Sequence, residues 1–310
     1  MDYFIGWDVG AWKCKNAHKA SCDALVVLNN QNAVGHYRNN LSETIQQICN
    51  AAEKARTLIN AWFALCEMPQ RYTLDDKYFI AIDTPLGWPK AFSMLIQGRL
   101  HADWRFEKAH KNSQNTLLFR KTERELGSSF SAVVDSIGSQ STKGMALLCA
   151  LDATFHSWGV WRSQNITLLE TYPKACLRSR SFVDWMCKLQ LTHDIREWYK
   201  PAKQKENALV SQEDNFDAAV CACAARAFAE GNPQLKHPPV NDSKDEKSEG
   251  WIFYPTGDLV PAAVANGYSD VVNAEDVPAL GEAMCRFRTH INRKELSDVV
   301  ETCEPEGDIE

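Results

Sequence analysis

Three short apolar segments of the sequence each end in a carboxylate, and this arrangement constrains the fold most. Asp8 follows the letters FIGW, Asp83 follows FIAI and Glu170 follows ITLL. Apolar runs of this length predict buried strands, and the ligands of open α/β sheets bind beyond the carboxyl ends of the strands. Carboxylates that converge there repel one another and are costly to desolvate, so a cation or shared protons must offset the cost. The three acids therefore predict a cation site at one edge of a sheet.

The order of the predicted elements indicates an α/β fold around a mixed sheet. Six segments have strand-like composition: 3–10, 24–28, 33–38, 77–82, 165–169 and 250–255. Four segments have helical spacing of apolar residues: 44–65, 142–158, 208–230 and 277–288. The turn at 29–32 predicts an antiparallel hairpin, and Ser42 is the expected N-cap of the first helix. That helix leads to strand 77–82 by a parallel crossover, so antiparallel hairpin strands and parallel strands should share one sheet flanked by helices.

The domain organisation follows from breaks in these patterns. The predicted parts are a main domain over 1–231 with a helical insertion over 86–164, a linker over 232–249, a C-terminal extension over 250–294 whose strand and helix pack on the core, and an acidic tail over 295–310. The chain has a net charge of −6, and the tail alone holds seven acids and no Lys or Arg. Such a block is either a solvated terminus or a segment that competes with a polyanionic ligand.

Two further acids lie near the start of the predicted helix 208–230. Asp214 and Asp217 are three residues apart and share one helix face, and the alanines after them allow close packing on a sheet. Oxygen ligands of this kind suit Mg²⁺ or Mn²⁺ better than Zn²⁺. Viewed singly, Asp214 could cap the helix and Asp8 could merely end a strand. The expected metal ligands are Asp8, Asp83, Glu170, Asp214 and Asp217.

Five ordered motifs resemble those of a known family. They are IDTPLG at 82–87, FRKTEREL at 119–126, ETYP at 170–173, DNFDA at 214–218 and EGWI at 249–252. The element order and the acids resemble the RNase H-like fold in its RuvC-type arrangement. The motifs are similar to those of the family called domain of unknown function 429, described as predicted RNase H-like nucleases. The resemblance covers residues 3–255.

The resemblance and the acids together suggest a metal-dependent nuclease that hydrolyses phosphodiester bonds in nucleic acid. We expect Mg²⁺ or Mn²⁺ as cofactor and a two-metal mechanism in which Asp8 bridges the ions. The expected catalytic residues are Asp8, Asp83, Glu170 and Asp217. The choice between DNA, RNA and a nucleotide as substrate stays open at this stage, as does the oligomeric state.

A basic segment within the predicted insertion is the expected substrate contact. Arg120, Lys121 and Arg124 lie within about one helical turn, and guanidinium groups clamp phosphate oxygens in pairs. Glu123 and Glu125 are interleaved with them, so a solvated helix face held by salt bridges is an equally good interpretation.

Two rival functions stay open. A phosphotransferase of the actin-like or sugar-kinase-like class is favoured by Asp8-Val9-Gly10, which resembles a first phosphate loop, but Pro85 occupies the place where a second loop needs glycine. A catalytically silent nucleic-acid-binding module is the other rival. Zinc is not expected, because the spacing of Cys14, His18 and Cys22 supplies no fourth ligand.

The expected location is the cytoplasm. No run approaches the roughly 18 apolar residues of a membrane span, and the first residues lack the pattern of a secretion signal. Eleven scattered cysteines, an odd number, fit free thiols in a reducing compartment better than a disulfide framework.

Overall fold

One mixed β-sheet organises the chain in the computed structural model, which describes residues 1–12, 22–99, 115–127, 131–133, 135, 137–193, 195–198, 211–239 and 246–257. The strands in these ranges are β1 (Asp2–Asp8), β2 (Asp23–Asn29), β3 (Val34–Asn39), β4 (Lys77–Asp83), β5 (Thr154–Ser157), β6 (Val160–Ser163), β7 (Ile166–Thr171) and β8 (Ile252–Phe253). The α-helices are α1 (Ser42–Cys49), α2 (Lys54–Leu65), α3 (Lys90–Ile96), α4 (Lys121–Leu126), α5 (Gly138–Ala150), α6 (Pro173–Leu177), α7 (Arg180–Lys188) and α8 (Ser211–Glu230). The predicted helix 277–288 and the tail 295–310 lie outside the described residues.

The sheet has the strand order β3-β2-β1-β4-β7-β6-β5, and β8 pairs with the end of β7. The β1–β2 and β2–β3 pairs are antiparallel, whereas β1, β4 and β7 run parallel to one another. This arrangement confirms the predicted α/β mixed sheet of the RNase H-like kind, with an antiparallel hairpin joined to parallel strands. No helix in the described part of the chain is long and apolar enough to cross a membrane.

The two faces of the sheet bury different residues of each strand. Phe4 of β1 and Ala81 of β4 belong to a core that includes most of α8. Ile5 and Trp7 belong to a second core on the other face, together with buried residues of α1, α2 and α5. Because side chains alternate along a strand, residues 4, 6 and 8 of β1 face α8.

The helix predicted over 44–65 is two helices. α1 ends at Cys49, Asn50 follows as its C-cap, and α2 begins at Lys54. The apolar spacing runs through the break, because both helices pack on the same face of the sheet, and so the pattern could not reveal it. The N-cap is Leu41 and not the predicted Ser42, which is the first helical residue; the hydroxyl of Ser42 donates to the carbonyl oxygen of Trp12 at 3.1 Å.

The helix predicted over 142–158 ends early and is followed by a hairpin. α5 stops at Ala150, Asp152 has a φ of 49°, and β5 and β6 follow in antiparallel pairing. Phe155 matched the helical spacing, but it lies on the edge strand β5 and is exposed. The left-handed backbone at Asp152 ends the helix, a feature that apolar spacing does not encode.

The segment predicted as a linker contributes to the core where it is described. Leu235 is buried and forms an isolated bridge with Pro255. Glu249 is buried at the end of the short helical turn Glu246–Glu249, and its carboxylate accepts hydrogen bonds from the backbone amides of Lys90 and Lys121. It thereby joins the first residues of α3 and α4.

Gly6 allows α8 to lie directly on β1. A Cβ atom at Gly6 would overlap the carbonyl oxygen of Ala218 and the amide of Ala222, and it would lie 2.9 Å from the Cβ atom of Cys221. The missing side chain therefore sets the distance of α8 from the sheet.

We expect Gly6→Ala to lower the free energy of unfolding by about 1–3 kcal/mol or more, because the backbone of α8 must move to make room. Denaturant titration measures this loss. Gly138→Ala is the control, since its Cβ atom would meet no atom closer than 3.4 Å and alanine favours a helix. Equal stability of the two variants would contradict the close approach of α8.

Candidate active site

The carboxyl ends of β1 and β4 bring two aspartates side by side. Asp8 is paired with Asp83 in the parallel register, so both side chains lie on the face covered by α8. Asp217, in the second turn of α8, lines the same cavity of about 220 Å³ as these two residues. Three of the predicted acids, from three separate elements, thus meet at one cavity.

The electrostatics of this aspartate cluster, Asp8, Asp83 and Asp217, are unfavourable as it stands. Burial raises the pKa of Asp8 well above its ordinary value, and the charges of Asp83 and Asp217 raise it further. Burial and Asp217 likewise raise the pKa of Asp83. Neither Asp8 nor Asp83 accepts a side-chain hydrogen bond from a residue in the described ranges. The cluster therefore needs protons or a cation to offset its repulsion.

Asp214 lies beside the cluster but does not line the cavity. Its Oδ2 atom accepts from Nε of Arg38 at 2.8 Å and lies 2.7 Å from Nη2 of the same guanidinium. Oδ2 also accepts from the backbone amide of Cys22 at 3.3 Å. The predicted metal ligand Asp214 is thus held by an arginine from β3, which sequence spacing could not show.

Glu170, the remaining predicted catalytic acid, is bound by Arg120. Glu170 is in register with Ile82, so its side chain leaves the sheet on the face opposite to Asp8 and Asp83, although it reaches the same cavity. Its Oε1 accepts from Nη2 of Arg120 at 2.5 Å, and its Oε2 accepts from Nη1 at 2.7 Å and from the amide of Leu86 at 2.9 Å. Both oxygens are therefore engaged by the protein, and the expectation that Glu170 is a catalytic metal ligand stays a prediction.

The side chains of the basic residues predicted to bind phosphate interact with other groups of the protein. Arg120 has a side chain with 0% exposure, and besides Glu170 it binds Glu123 through Nε at 2.8 Å. Burial alone would lower the pKa of Arg120, but Glu123 and Glu170 raise it overall. Lys121 lies over the ring of Trp158 at 5.7 Å, and Arg124 donates to a backbone carbonyl. Neither Lys121 nor Arg124 lines the cavity.

Three cavity residues were missed by the sequence analysis. Lys174, the second residue of α6, lies close enough to Asp83 to lower the pKa of its carboxyl against the stronger effects that raise it. It directly follows the ETYP motif, so that motif could have indicated it. Thr84 and Gln140 also line the cavity, and Gln140 carried no sequence signal.

Asp23, a buried acid outside the aspartate cluster, holds the loop that follows β1. Asp23 forms a fully buried ion pair with Lys143 of α5, and its Oδ1 accepts from the amide of Gly10 at 2.9 Å. Because this amide is engaged, it is not available to a phosphate in the manner of a kinase loop. The contact argues against the phosphotransferase alternative.

The donor set of the aspartate cluster fits a hard divalent cation. Carboxylate oxygens are the ligands that Mg²⁺ and Mn²⁺ prefer, and the charge of Asp217 raises the pKa of both Asp8 and Asp83. As they stand, however, the described residues include no group of three or more His, Cys, Asp or Glu side chains placed to hold a metal ion. The chemistry of the donors thus fits the ion, although their present positions do not form a closed site.

Fold and site together define an α/β protein of RNase H-like architecture with a cluster of aspartates at the carboxyl ends of its central strands. The profile of the family described as "Protein of unknown function (DUF429)" matches residues 44–241. The chain belongs to this family, as its motifs predicted. Searches of curated proteins and of solved structures found no match.

Proposed function

We propose that this protein is a divalent-metal-dependent nuclease that hydrolyses phosphodiester bonds in nucleic acid. The aspartate cluster is the observation that carries the proposal. Its acids come from β1, β4 and α8 and line one cavity, where burial and the charge of Asp217 raise the pKa of Asp8 and of Asp83. A purely structural role is a poor explanation, because mutual repulsion costs stability that an uncharged residue would not cost.

The residues around the cavity would have three roles: binding the metal ion, binding the phosphate and positioning the backbone near Asp83. Asp8, Asp83 and Asp217 would hold Mg²⁺ or Mn²⁺. A bound ion of this kind supplies an activated water and stabilises the leaving oxygen of the phosphodiester. Lys174 would bind a phosphate oxygen, because its charge reaches Asp83 across the same cavity. Arg120 and Glu170 would act indirectly, since Glu170 fixes the amide of Leu86 three residues after Asp83.

The proposal includes a cytoplasmic location. The eight cysteines in the described ranges form no disulfide with one another. Free cysteines in this number are typical of proteins in a reducing compartment.

A panel of labelled single-stranded, duplex and branched DNA and RNA tests the function. We expect cleavage by purified wild-type protein with Mg²⁺ or Mn²⁺ and none with chelator. Asp83→Asn should slow cleavage by at least about 100-fold, since it removes a ligand of the ion.

Asp152→Asn is the matched control, because Asp152 is exposed and, among the described residues, its side chain binds only Lys54 in a surface pair. It should cleave like the wild type. Equal rates for the Asp83 variant and the wild type would assign the activity to a contaminant and remove the proposal.

A further inference from the structure

In the part of the chain that the structure describes, two buried polar atoms in the wall of the cavity have no hydrogen-bond partner. They are the hydroxyl oxygen Oγ1 of Thr84 and the amide oxygen Oε1 of Gln140, and both residues line the cavity. Thr84 is only 4% exposed. Buried polar groups are nearly always paired, so two such atoms in one cavity wall indicate a ligand that completes them.

The backbone places both residues at the same face of α5. Gln140 and Gly144 lie one turn apart on the same face of α5. A Cβ atom at Gly144 would overlap the methyl carbon Cγ2 of Thr84, so Thr84 packs directly on that face. The methyl group of Thr84 packs against α5, so the hydroxyl group, which is the other branch at Cβ, does not make this contact. Thr84 and Gln140 therefore form one wall, next to Asp83.

The chemistry of the two atoms restricts what they can bind. An amide oxygen only accepts hydrogen bonds, whereas a threonine hydroxyl both donates and accepts. The sugar–phosphate backbone inside a DNA strand offers only acceptors and therefore cannot pair with the Oε1 atom of Gln140. A ribose adds a 2′-hydroxyl, which donates and accepts. Of the two nucleic acids, only the backbone of RNA can pair with both atoms.

We propose that Thr84 and Gln140 form a subsite for a ribose 2′-hydroxyl, which makes RNA the substrate. The hydroxyl donates to Oε1 of Gln140 and accepts from Oγ1 of Thr84. This inference rests on the proposed nuclease function, because the aspartate cluster beside Thr84 defines where the scissile phosphate lies. The inference goes beyond that function, since it predicts that the enzyme prefers RNA to DNA and names the two residues that cause the preference.

Chimeric oligonucleotides test the subsite in the wild-type protein. One RNA strand is compared with versions that carry a single 2′-deoxy or 2′-fluoro nucleotide at each position in turn, and with the all-DNA strand. We expect one position next to the cleaved bond at which either change slows cleavage roughly ten-fold, as for the loss of a hydrogen bond to a buried polar group. Dissociation constants measured with Ca²⁺ in place of Mg²⁺ should rise at the same position.

Variants assign the effect to the two residues. In Gln140→Met and in Thr84→Val, the 2′-deoxy and unmodified strands should be cleaved at nearly equal rates. Gln47→Met is the matched control, because Gln47 is an exposed helical glutamine outside the cavity, and it should keep the full discrimination. Thr84→Val should not lower the melting temperature, since the hydroxyl that it removes makes no hydrogen bond to any described residue.

The outcomes separate the two proposals. Cleavage of RNA and DNA at equal rates, with no sensitive position, would overturn the subsite and leave the nuclease function intact. Discrimination that persists in both variants would also overturn it. Absence of cleavage of every strand with either metal ion would overturn the nuclease function, and the subsite with it.

Discussion

Arg120→Met is expected to lower the free energy of unfolding by about 3–5 kcal/mol, the usual result of removing one partner from a buried ion pair. The guanidinium binds both oxygens of Glu170 and one oxygen of Glu123, whose side chains are 2% and 1% exposed. Methionine fills a similar volume but leaves both acids buried without a counter-charge. Denaturant titration at neutral pH measures the loss.

Two further variants make this result specific to the buried network. Arg56→Met should cost less than about 1 kcal/mol, because Arg56 is 51% exposed and its pair with Glu53 lies on the surface. Adding Glu170→Gln to Arg120→Met should recover part of the loss, since it neutralises one stranded acid. A loss no larger than that of Arg56→Met would show that the network does not stabilise the fold.

Asp8→Asn is expected to stabilise the metal-free protein and to abolish its response to metal. Removing one charge from the aspartate cluster relieves repulsion, and we expect a gain of about 0.5–2 kcal/mol with chelator present, typical for replacing a strained functional residue. For the wild type, Mn²⁺ at 100 times its dissociation constant should add about 2.7 kcal/mol. The variant should lose most of this gain, and its cleavage should fall at least about 100-fold.

Asp23→Asn is the matched control, because Asp23 is a buried aspartate that is paired with a lysine. The Asp23→Asn substitution leaves the buried Lys143 without its negatively charged partner and should destabilise the protein with or without metal. Thermal melts of the three proteins, each with chelator and with Mn²⁺, give the comparison. Destabilisation by Asp8→Asn with an intact response to metal would make Asp8 structural.

The gain from Asp8→Asn should also depend on pH. Burial and the neighbouring acids raise the pKa of Asp8 in the folded protein, so ionisation costs more in the folded state than in the unfolded state. The protonated form of Asp8 is therefore compatible with the fold at low pH, and the protein loses stability as the pH rises through the raised pKa of Asp8. With chelator present, the advantage of the variant should be small near pH 4 and larger at about pH 7.

The sequence was informative where the determining interactions are local. Apolar runs located β1, β2, β4 and β7, and the helical spacing over 208–230 located α8. The positions of Asp8 and Asp83 could also be predicted, because each is the last residue of its strand. The sequence failed where spacing alone does not distinguish conformations, at the break between α1 and α2 and at the hairpin β5–β6.

The sequence by itself determined which acids end the central strands, because strand formation depends on neighbouring residues. The tertiary structure decided which of them share a face. Asp8 is in register with Asp83, but Glu170 is in register with Ile82, and an offset of one residue turns a side chain to the other face of a sheet. Such register is set by contacts between segments far apart in the chain. Only the folded sheet could therefore divide the predicted acids into an aspartate cluster and a glutamate bound to Arg120.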